Sequence, residues 1–320
     1  MAEKVATRDA YGKALVELGK SLENVVVLDA DLSKSTKTIL FAEAFPDRFF
    51  NLGVAEADMM GTAAGLAASG YIPFASTFGV FATGRAFDQV RNSIAYTRLN
   101  VKIAATHTGL TVGEDGASHQ ALEDIALMRV LPHMTVVVPA DGNQTRQAVE
   151  AVARFQGPVY LRLGRPKVPQ VIPVDMPFEL GRGQVLREGN DLTYVTTGMM
   201  TGLALEAAAA LHTRGIGASV VNMHTIKPLD EALLVQLARK TGAVVTGEEH
   251  SMIGGLGGAV AEVLTAECPV PVIRVGVKDT FGESGPPEAL LEKYGLTARQ
   301  LVTAGLEALE KKTSGLRRQD

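Results

Sequence analysis

The most restrictive feature of this chain is an alternation of two kinds of segment. Short apolar runs, Val25-Val26-Val27-Leu28, Val101-Lys102-Ile103-Ala104-Ala105, Thr135-Val136-Val137-Val138 and Pro158-Val159-Tyr160-Leu161, stand between longer stretches of helical period. The runs are continuous rather than alternately polar and apolar, as strands covered on both faces of a parallel sheet must be. Helices are predicted at about 8–22, 56–69, 84–97, 120–130 and 143–155. Pro166, Pro169, Pro173 and Pro177 then break the pattern. Alternation resumes with strands at about 192–197, 218–223, 243–248 and 271–277 and helices at about 201–214, 229–240, 257–267 and 297–311. The expected fold class is α/β, with two parallel or mixed-sheet domains flanked by helices. The expected boundaries are 1–165 and 191–312, joined by a linker over 166–190 and ending in a flexible tail over 313–320.

Composition narrows the partners. At 320 residues the chain is long enough for two cores. The charge of 31 Lys+Arg against 35 Asp+Glu, net −4, offers no basic patch for nucleic acid and no cationic cluster for a membrane surface. No apolar stretch is long enough for a transmembrane helix, and Met1-Ala-Glu-Lys-Val lacks the apolar core of a signal peptide. The single Cys268 excludes an intrachain disulfide and a CxxC zinc site. A cytoplasmic location is expected. The 33 glycines, without collagen period, predict tight turns or close backbone approaches.

In parallel sheets ligands sit beyond the carboxyl ends of the strands, so the loops after strands carry the function. Five stand out. In Asp29-Ala30-Asp31-Leu32-Ser33-Lys34-Ser35, Asp31 or Ser33 suffices as a turn or helix cap. In Val54-Ala55-Glu56-Ala57-Asp58-Met59-Met60, Glu56 either compensates a helix dipole or, with apolar neighbours and almost no basic residue nearby, is a buried carboxyl of raised pKa able to give or take a proton. Phe78 and Phe81, three apart, are either core or a stacking wall for a flat heterocycle. The loop Thr106-His107-Thr108-Gly109-Leu110-Thr111-Val112-Gly113-Glu114-Asp115-Gly116-Ala117-Ser118-His119-Gln120 is the strongest. Ser118 is expected to cap the next helix, but capping does not require His107, Asp115 and His119 together. Their spacing matches no familiar metal-ligand pattern, and a polyol or phosphate site explains the mixture better than a metal site. Gly254-Gly255-Leu256-Gly257-Gly258 lacks the dinucleotide spacing and reads as close helix–sheet packing.

Taken together these segments resemble the second half of the transketolase family. The markers are Ala6-Thr7-Arg8, Ala30-Asp31-Leu32, Val54-Ala55-Glu56, Ser76-Thr77-Phe78, Gly113-Glu114-Asp115-Gly116 with Ser118-His119-Gln120, and Leu161-Arg162-Leu163-Gly164-Arg165-Pro166. Asn222-Met223-His224-Thr225-Ile226-Lys227-Pro228-Leu229-Asp230 resembles the C-terminal domain shared with 2-oxoacid dehydrogenase E1 β subunits. The likeness covers nearly the whole chain. Absent is the Gly-Asp-Gly…Asn motif with which the family's first domain holds a diphosphate and a divalent metal. The chain therefore resembles the C-terminal subunit of a split transketolase.

That resemblance implies transfer of a two-carbon ketol unit between sugar phosphates, as in pentose phosphate metabolism, with thiamine diphosphate and Mg2+. It implies an N-terminal subunit carrying the diphosphate-binding domain and the Mg2+ ligands, none being expected on this chain, in an α2β2 heterotetramer. Glu56 corresponds to the carboxyl that meets the aminopyrimidine, a role suited to a carboxyl kept from strong ion pairing. Phe78 and Phe81 correspond to aromatic contacts to that ring, with a third aromatic position falling near Gly84. Asp31 corresponds to a residue close to the cofactor. His119 and Asp115 correspond to residues that bind donor hydroxyls near the reacting carbons, His119 with a catalytic role. Arg8, Ser35, His107 and Arg165 correspond to the group that holds the substrate phosphate, Arg165 being preferred to Arg162. Ala57-Asp58 stands where relatives often carry Gln-Asn or a His.

Other readings are a deoxyxylulose phosphate synthase-like subunit, whose relatives usually show Gly-Ala-Asp-Gly, an E1 β subunit, or a split transketolase for a branched or sulfonated sugar. A non-catalytic partner-binding protein and a metal-dependent hydrolase using His107, Asp115 and His119 are the readings from other classes.

Overall fold

The computed structural model describes residues 3–316. The N-terminal half contains β1 (Lys4–Ala6), β2 (Val25–Asp29), β3 (Phe49–Asn51), β4 (Ile72–Phe78), β5 (Lys102–Thr106), β6 (Thr135–Val137), β7 (Val159–Arg162) and β8 (Lys167–Pro169). The C-terminal half contains β9 (Gln184–Arg187), β10 (Leu192–Thr196), β11 (Ala218–Asn222), β12 (Thr225–Lys227), β13 (Val244–Ser251) and β14 (Val272–Val277). The first sheet runs β12-β6-β7-β5-β4-β2-β3, parallel throughout except for β12. The second runs β14-β13-β10-β11-β9, parallel except for β9. Every residue of β2, β4, β5 and β10 is buried, as the continuous apolar runs require.

The helices follow their sequence signals. Asp141 caps Gly142–Arg154 by accepting the Gln144 N–H at 2.9 Å, and Thr145, Ala148, Val149 and Val152 form its buried stripe. Asp230 caps Glu231–Thr241 through Leu233, and Gly242 ends it in the left-handed conformation.

Four differences from the sequence reading have physical causes. The segment read as a linker over 166–190 carries β8, which pairs antiparallel with β1, and β9, which closes an edge of the second sheet. Residues 313–316 of the expected tail continue the helix Ala298–Leu316, and 317–320 lie outside the described residues. The helix expected over 84–97 is a chain of wide π-type turns, Phe81–Arg85 and Val90–Ala95, around a short turn at Phe87–Gln89. Thr83 contributes by turning its hydroxyl back onto the Gly79 carbonyl at 2.8 Å. Finally, the helix expected from 120 starts at Asp124 with Glu123 before it, and Ser118 bonds His119 Nδ1 at 3.0 Å instead of capping.

β12 belongs in sequence to the second domain but pairs with β6 at the edge of the first sheet, Thr225 opposite Val137. One apolar cluster accordingly joins Val136, Val138 and Tyr160 to Val195, Val221, Met223 and Ile226.

Candidate active site

β7, β5, β4, β2 and β3 are consecutive in the first sheet and parallel, so the chain leaves all five at one edge. Arg165 follows β7, His107 to His119 follow β5, Phe78 to Arg85 close and follow β4, Asp31 and Ser35 follow β2, and Glu56 follows β3. Arg8 joins them from the first turn of the helix Thr7–Ser21, next to β1.

An aromatic wall forms the centre. Phe78 stacks on the His107 ring at 3.9 Å and 22°, and on Phe81 at 6.1 Å and 12°. His119 meets Phe81 edge-on at 5.3 Å. At one end of the wall lies Glu56, the first residue of the helix Glu56–Ala68 and 1% exposed. Arg85 Nη1 donates to both of its carboxylate oxygens, at 3.1 and 3.0 Å, and the Arg85 guanidinium lies 4.7 Å from the Phe81 ring centre. This overturns the expectation of a carboxyl kept away from cations. Arg85 lies 29 positions from Glu56, and the wide turn Phe81–Arg85 folds it back across the sheet edge. A Cβ placed on the neighbouring Gly84 meets nothing within 4 Å, so the position of the third aromatic is open space.

At the other end of the wall is a cationic corner. Arg8 Nη1 donates to the Ser35 carbonyl at 3.1 Å and lies 3.1 Å from His107 Nε2. Ser35 therefore contributes a main-chain oxygen to this group. A guanidinium has only donors, so Nε2 accepts and Nδ1 carries the imidazole proton, facing Thr106 Oγ1 at 2.9 Å. Burial, followed by the charges of Arg8, Arg165, His119 and Lys37, pushes His107 down to about 3, so the ring is neutral at physiological pH. His107 is a non-glycine residue at φ 54, a strained conformation of the kind that functional sites retain. Burial also lowers the Arg8 pKa; Asp9 opposes this and the Arg165 charge adds to it. Arg8 Nε is buried without a hydrogen-bond partner, a donor that suits an anion. Arg165 donates to the Val112 carbonyl and to Glu114 at 3.3 Å, with Asp115 at 4.0 Å. Asp115 is exposed and is charge-paired with Arg165.

Asp31 bonds to Asn51 rather than to a residue of the wall. It sits in the left-handed conformation at φ 64 and exchanges two 3.0 Å hydrogen bonds with Asn51. Beneath it the buried Asp29 accepts from Leu32 N, Thr36 and Thr38 at 2.6 to 2.8 Å, which shapes the 31–38 loop. Arg162 points the other way, into a buried pair with Asp124 at 2.6 Å. In the 254–258 segment, Glu248 accepts the N–H groups of Leu256 and Gly257, so the helix start is filled by the chain's own carboxylate. Among the described residues no group of three or more His, Cys, Asp or Glu side chains is arranged to hold a metal. Arg85 is the residue that loop-by-loop reading passed over. Its signal was the spacing Phe81…Arg85, which places a cation over an aromatic face one helical turn away.

Two family models match the chain. Transketolase, pyrimidine binding domain, covers residues 3–170, and transketolase, C-terminal domain, covers 181–301. The chain is 49% identical over 307 residues to a protein classed as a transketolase C-terminal section in Methanocaldococcus jannaschii, spanning 95% of this chain and 96% of that one. It is 47% identical over 305 residues to a 6-deoxy-6-sulfo-D-fructose transketolase subunit of a Clostridium species, spanning 95% of each. Among solved structures, a split gene transketolase described as an inactive beta4 tetramer superposes with a TM-score of 0.91 at 64% identity, over 96% of this chain and 99% of that one.

Proposed function

The chain belongs to the transketolase family as a C-terminal section, and from that premise we propose that it transfers a two-carbon ketol unit from a ketose phosphate to an aldose phosphate. In this reading it works with thiamine diphosphate and with an N-terminal subunit that supplies the diphosphate-binding domain and the Mg2+ ligands, as an α2β2 assembly. The observation that carries the reading is the single wall running from the buried Glu56 carboxylate along Phe81 and Phe78 to the Arg8–His107 corner.

The donor set fits the aminopyrimidine half of the cofactor. A buried carboxylate suits a ring nitrogen, and two nearly parallel phenyl rings suit a flat heterocycle. When bound, thiamine diphosphate supplies the carbon nucleophile that carries the two-carbon fragment. Glu56 holds a proton at the ring nitrogen and, with two acceptor oxygens, does so while paired with Arg85. Phe78 and Phe81 orient the ring and exclude water from it. His119, half-buried at the Phe81 edge, faces the hydroxyls of the donor, with Asp115 beside it on the same loop. The neutral His107 donates no charge of its own. It fixes the Arg8 guanidinium, whose unpartnered Nε–H meets an oxyanion together with Arg165. Asp31 and the Ser35 main chain border the site through the loop after β2.

A second reading keeps the reaction and changes the terminal group of the sugar. A sulfonate also presents three acceptor oxygens and a negative charge to two guanidiniums, and a 6-deoxy-6-sulfo-D-fructose transketolase subunit is among the similar proteins. Co-purification from the native source tests the assignment. The expected partner carries Gly-Asp-Gly…Asn, and the mixture, with thiamine diphosphate and Mg2+, transfers ketol units between sugar phosphates. Turnover by this chain alone overturns the need for a partner. An inactive mixture overturns the reaction, and activity confined to sulfonated sugars selects the second reading.

A further inference from the structure

The 107–120 loop bears His107, Asp115 and His119, yet its backbone rests on the other domain. Gly109, Gly113 and Gly116 all have positive φ, at 79°, 83° and 76°. Each also marks a close approach. A Cβ on Gly109 would fall 2.4 Å from the Glu249 carboxylate, one on Gly113 3.2 Å from Pro287, and one on Gly116 2.4 Å from Ser284 Oγ. Glu249 lies on β13, is 7% exposed, and accepts the Thr111 N–H at 2.7 Å. Its main-chain oxygen accepts Arg162 Nη2 at 3.0 Å, which ties the same point to β7. A second anchor comes from Gln120, whose Nε2 donates to the Glu283 carbonyl at 2.9 Å.

We infer that Glu249 is a positioning residue for the substrate. On this view, which rests on the proposed reaction, the C-terminal domain acts by holding the loop that carries site residues. The carboxylate is buried at a net desolvation cost, opposed first by the Arg162 charge and then by the hydrogen bond from the Thr111 N–H. An apolar residue of similar volume would fill such a place at lower cost. What an apolar residue cannot supply is an acceptor for the Thr111 N–H, which would otherwise be left unpaired inside the protein. The three glycines are the other half of the device, because each removes the side chain that would hold the loop away from the C-terminal domain.

Amide hydrogen exchange on the full-length chain tests this without partner or turnover. Glu249→Ala is expected to speed exchange at 109–116 by about tenfold or more, the scale of a lost hydrogen bond to a charged group. Glu249→Gln keeps an acceptor oxygen and is expected to restore most of the protection. Amides of β10 and β11 are expected to exchange as in the parent chain. Unchanged exchange at 109–116 in Glu249→Ala overturns the inference, as does a uniform rise across β10, β11 and the loop. Should Glu249→Ala fail to fold, Gln120→Met removes the Glu283 anchor together with the Gln120 bonds to the Leu110 and Gly113 carbonyls and must raise exchange over 113–120; no rise there also overturns it. In the reconstituted enzyme, Glu249→Ala is expected to raise KM for the sugar phosphate about tenfold with kcat little changed, and Glu249→Gln to reverse this. A fall in kcat with KM unchanged counts against positioning. Because the exchange measurement needs no reaction, it separates failure of the tether from failure of the assigned chemistry.

Discussion

Arg162 and Arg165 stand three residues apart, and the structure predicts opposite consequences for losing them. The Arg162 side chain is 5% exposed; its Nε and Nη2 reach Asp124 at 2.6 and 3.0 Å, and Nη2 also reaches the carbonyls of Ala121 and Glu249 at 3.3 and 3.0 Å. Arg162→Ala leaves Asp124, 0% exposed, facing only the Tyr160 hydroxyl at 2.6 Å and His250 at 3.9 Å. Breaking such a pair costs about 3–5 kcal/mol, a large part of the ~5–15 kcal/mol by which a domain is stable. Arg165 is 34% exposed, its partners Glu114 and Asp115 64% and 42%. Pairs that open to solvent contribute ~0–1 kcal/mol. Urea unfolding of the purified chain, followed by circular dichroism, measures both. Arg162→Ala is expected to unfold at much lower urea and Arg165→Ala near the parent. Arg162→Met combined with Asp124→Leu is expected to recover most of the loss, because no charge is then left unpaired. Burial alone raises the Asp124 pKa, but Arg162 outweighs it and holds the carboxyl below its ordinary 3.8. The stabilisation from Asp124 is therefore full above pH 3.8 and is lost as pH falls through its lower folded value. In the reconstituted enzyme Arg165→Ala is expected to raise KM for sugar phosphates more than it lowers kcat, and Arg8→Ala likewise. Equal unfolding costs for the two arginines, or a double variant no better than Arg162→Ala, refute this reasoning.

Two further outcomes follow from the site. Glu56→Gln in the reconstituted enzyme is expected to lower turnover by about 10²-fold or more, the scale of a lost proton-transfer group; retention of most activity contradicts the role. His107 is expected to stay neutral from pH 8 down to pH 5, as followed by its ring proton resonances in NMR, and a titration midpoint near 6.5 contradicts the Arg8 contact. Since an unfolded histidine takes its proton near 6.5 and folded His107 only at about 3, stability falls as pH drops between those values. His224, pushed down to about 4 mainly by burial, acts in the same sense.

The parallel core was legible because strands covered on both faces must be apolar without interruption, as Val25 to Leu28 and Ile103 to Ala105 are. The loops of the site were legible because ligands lie beyond the carboxyl ends of parallel strands, while the order that sets β7, β5, β4, β2 and β3 side by side came from the structure. Contacts across large separations were not. The Glu56–Arg85 pair depends on how a π-type turn aims a side chain, and no local pattern states that. β12 reads as part of the second domain because its neighbours in sequence are there, while its hydrogen bonds go to β6. The Pro-rich stretch read as a linker because no helical period survives in it, but three-residue strands need none.

The placement of β12 has a consequence for anyone who would divide this chain. A cut in the 170–181 stretch separates two family domains on paper, yet it strips the first sheet of its outermost strand and bares the N–H and C=O groups of β6. Such a raw edge invites pairing with another molecule. Exchange of C-terminal domains between relatives meets the same obstacle in another form. The incoming domain must bring a β12 whose register fits a β6 from another chain, including the irregularity between Thr225 and Lys227.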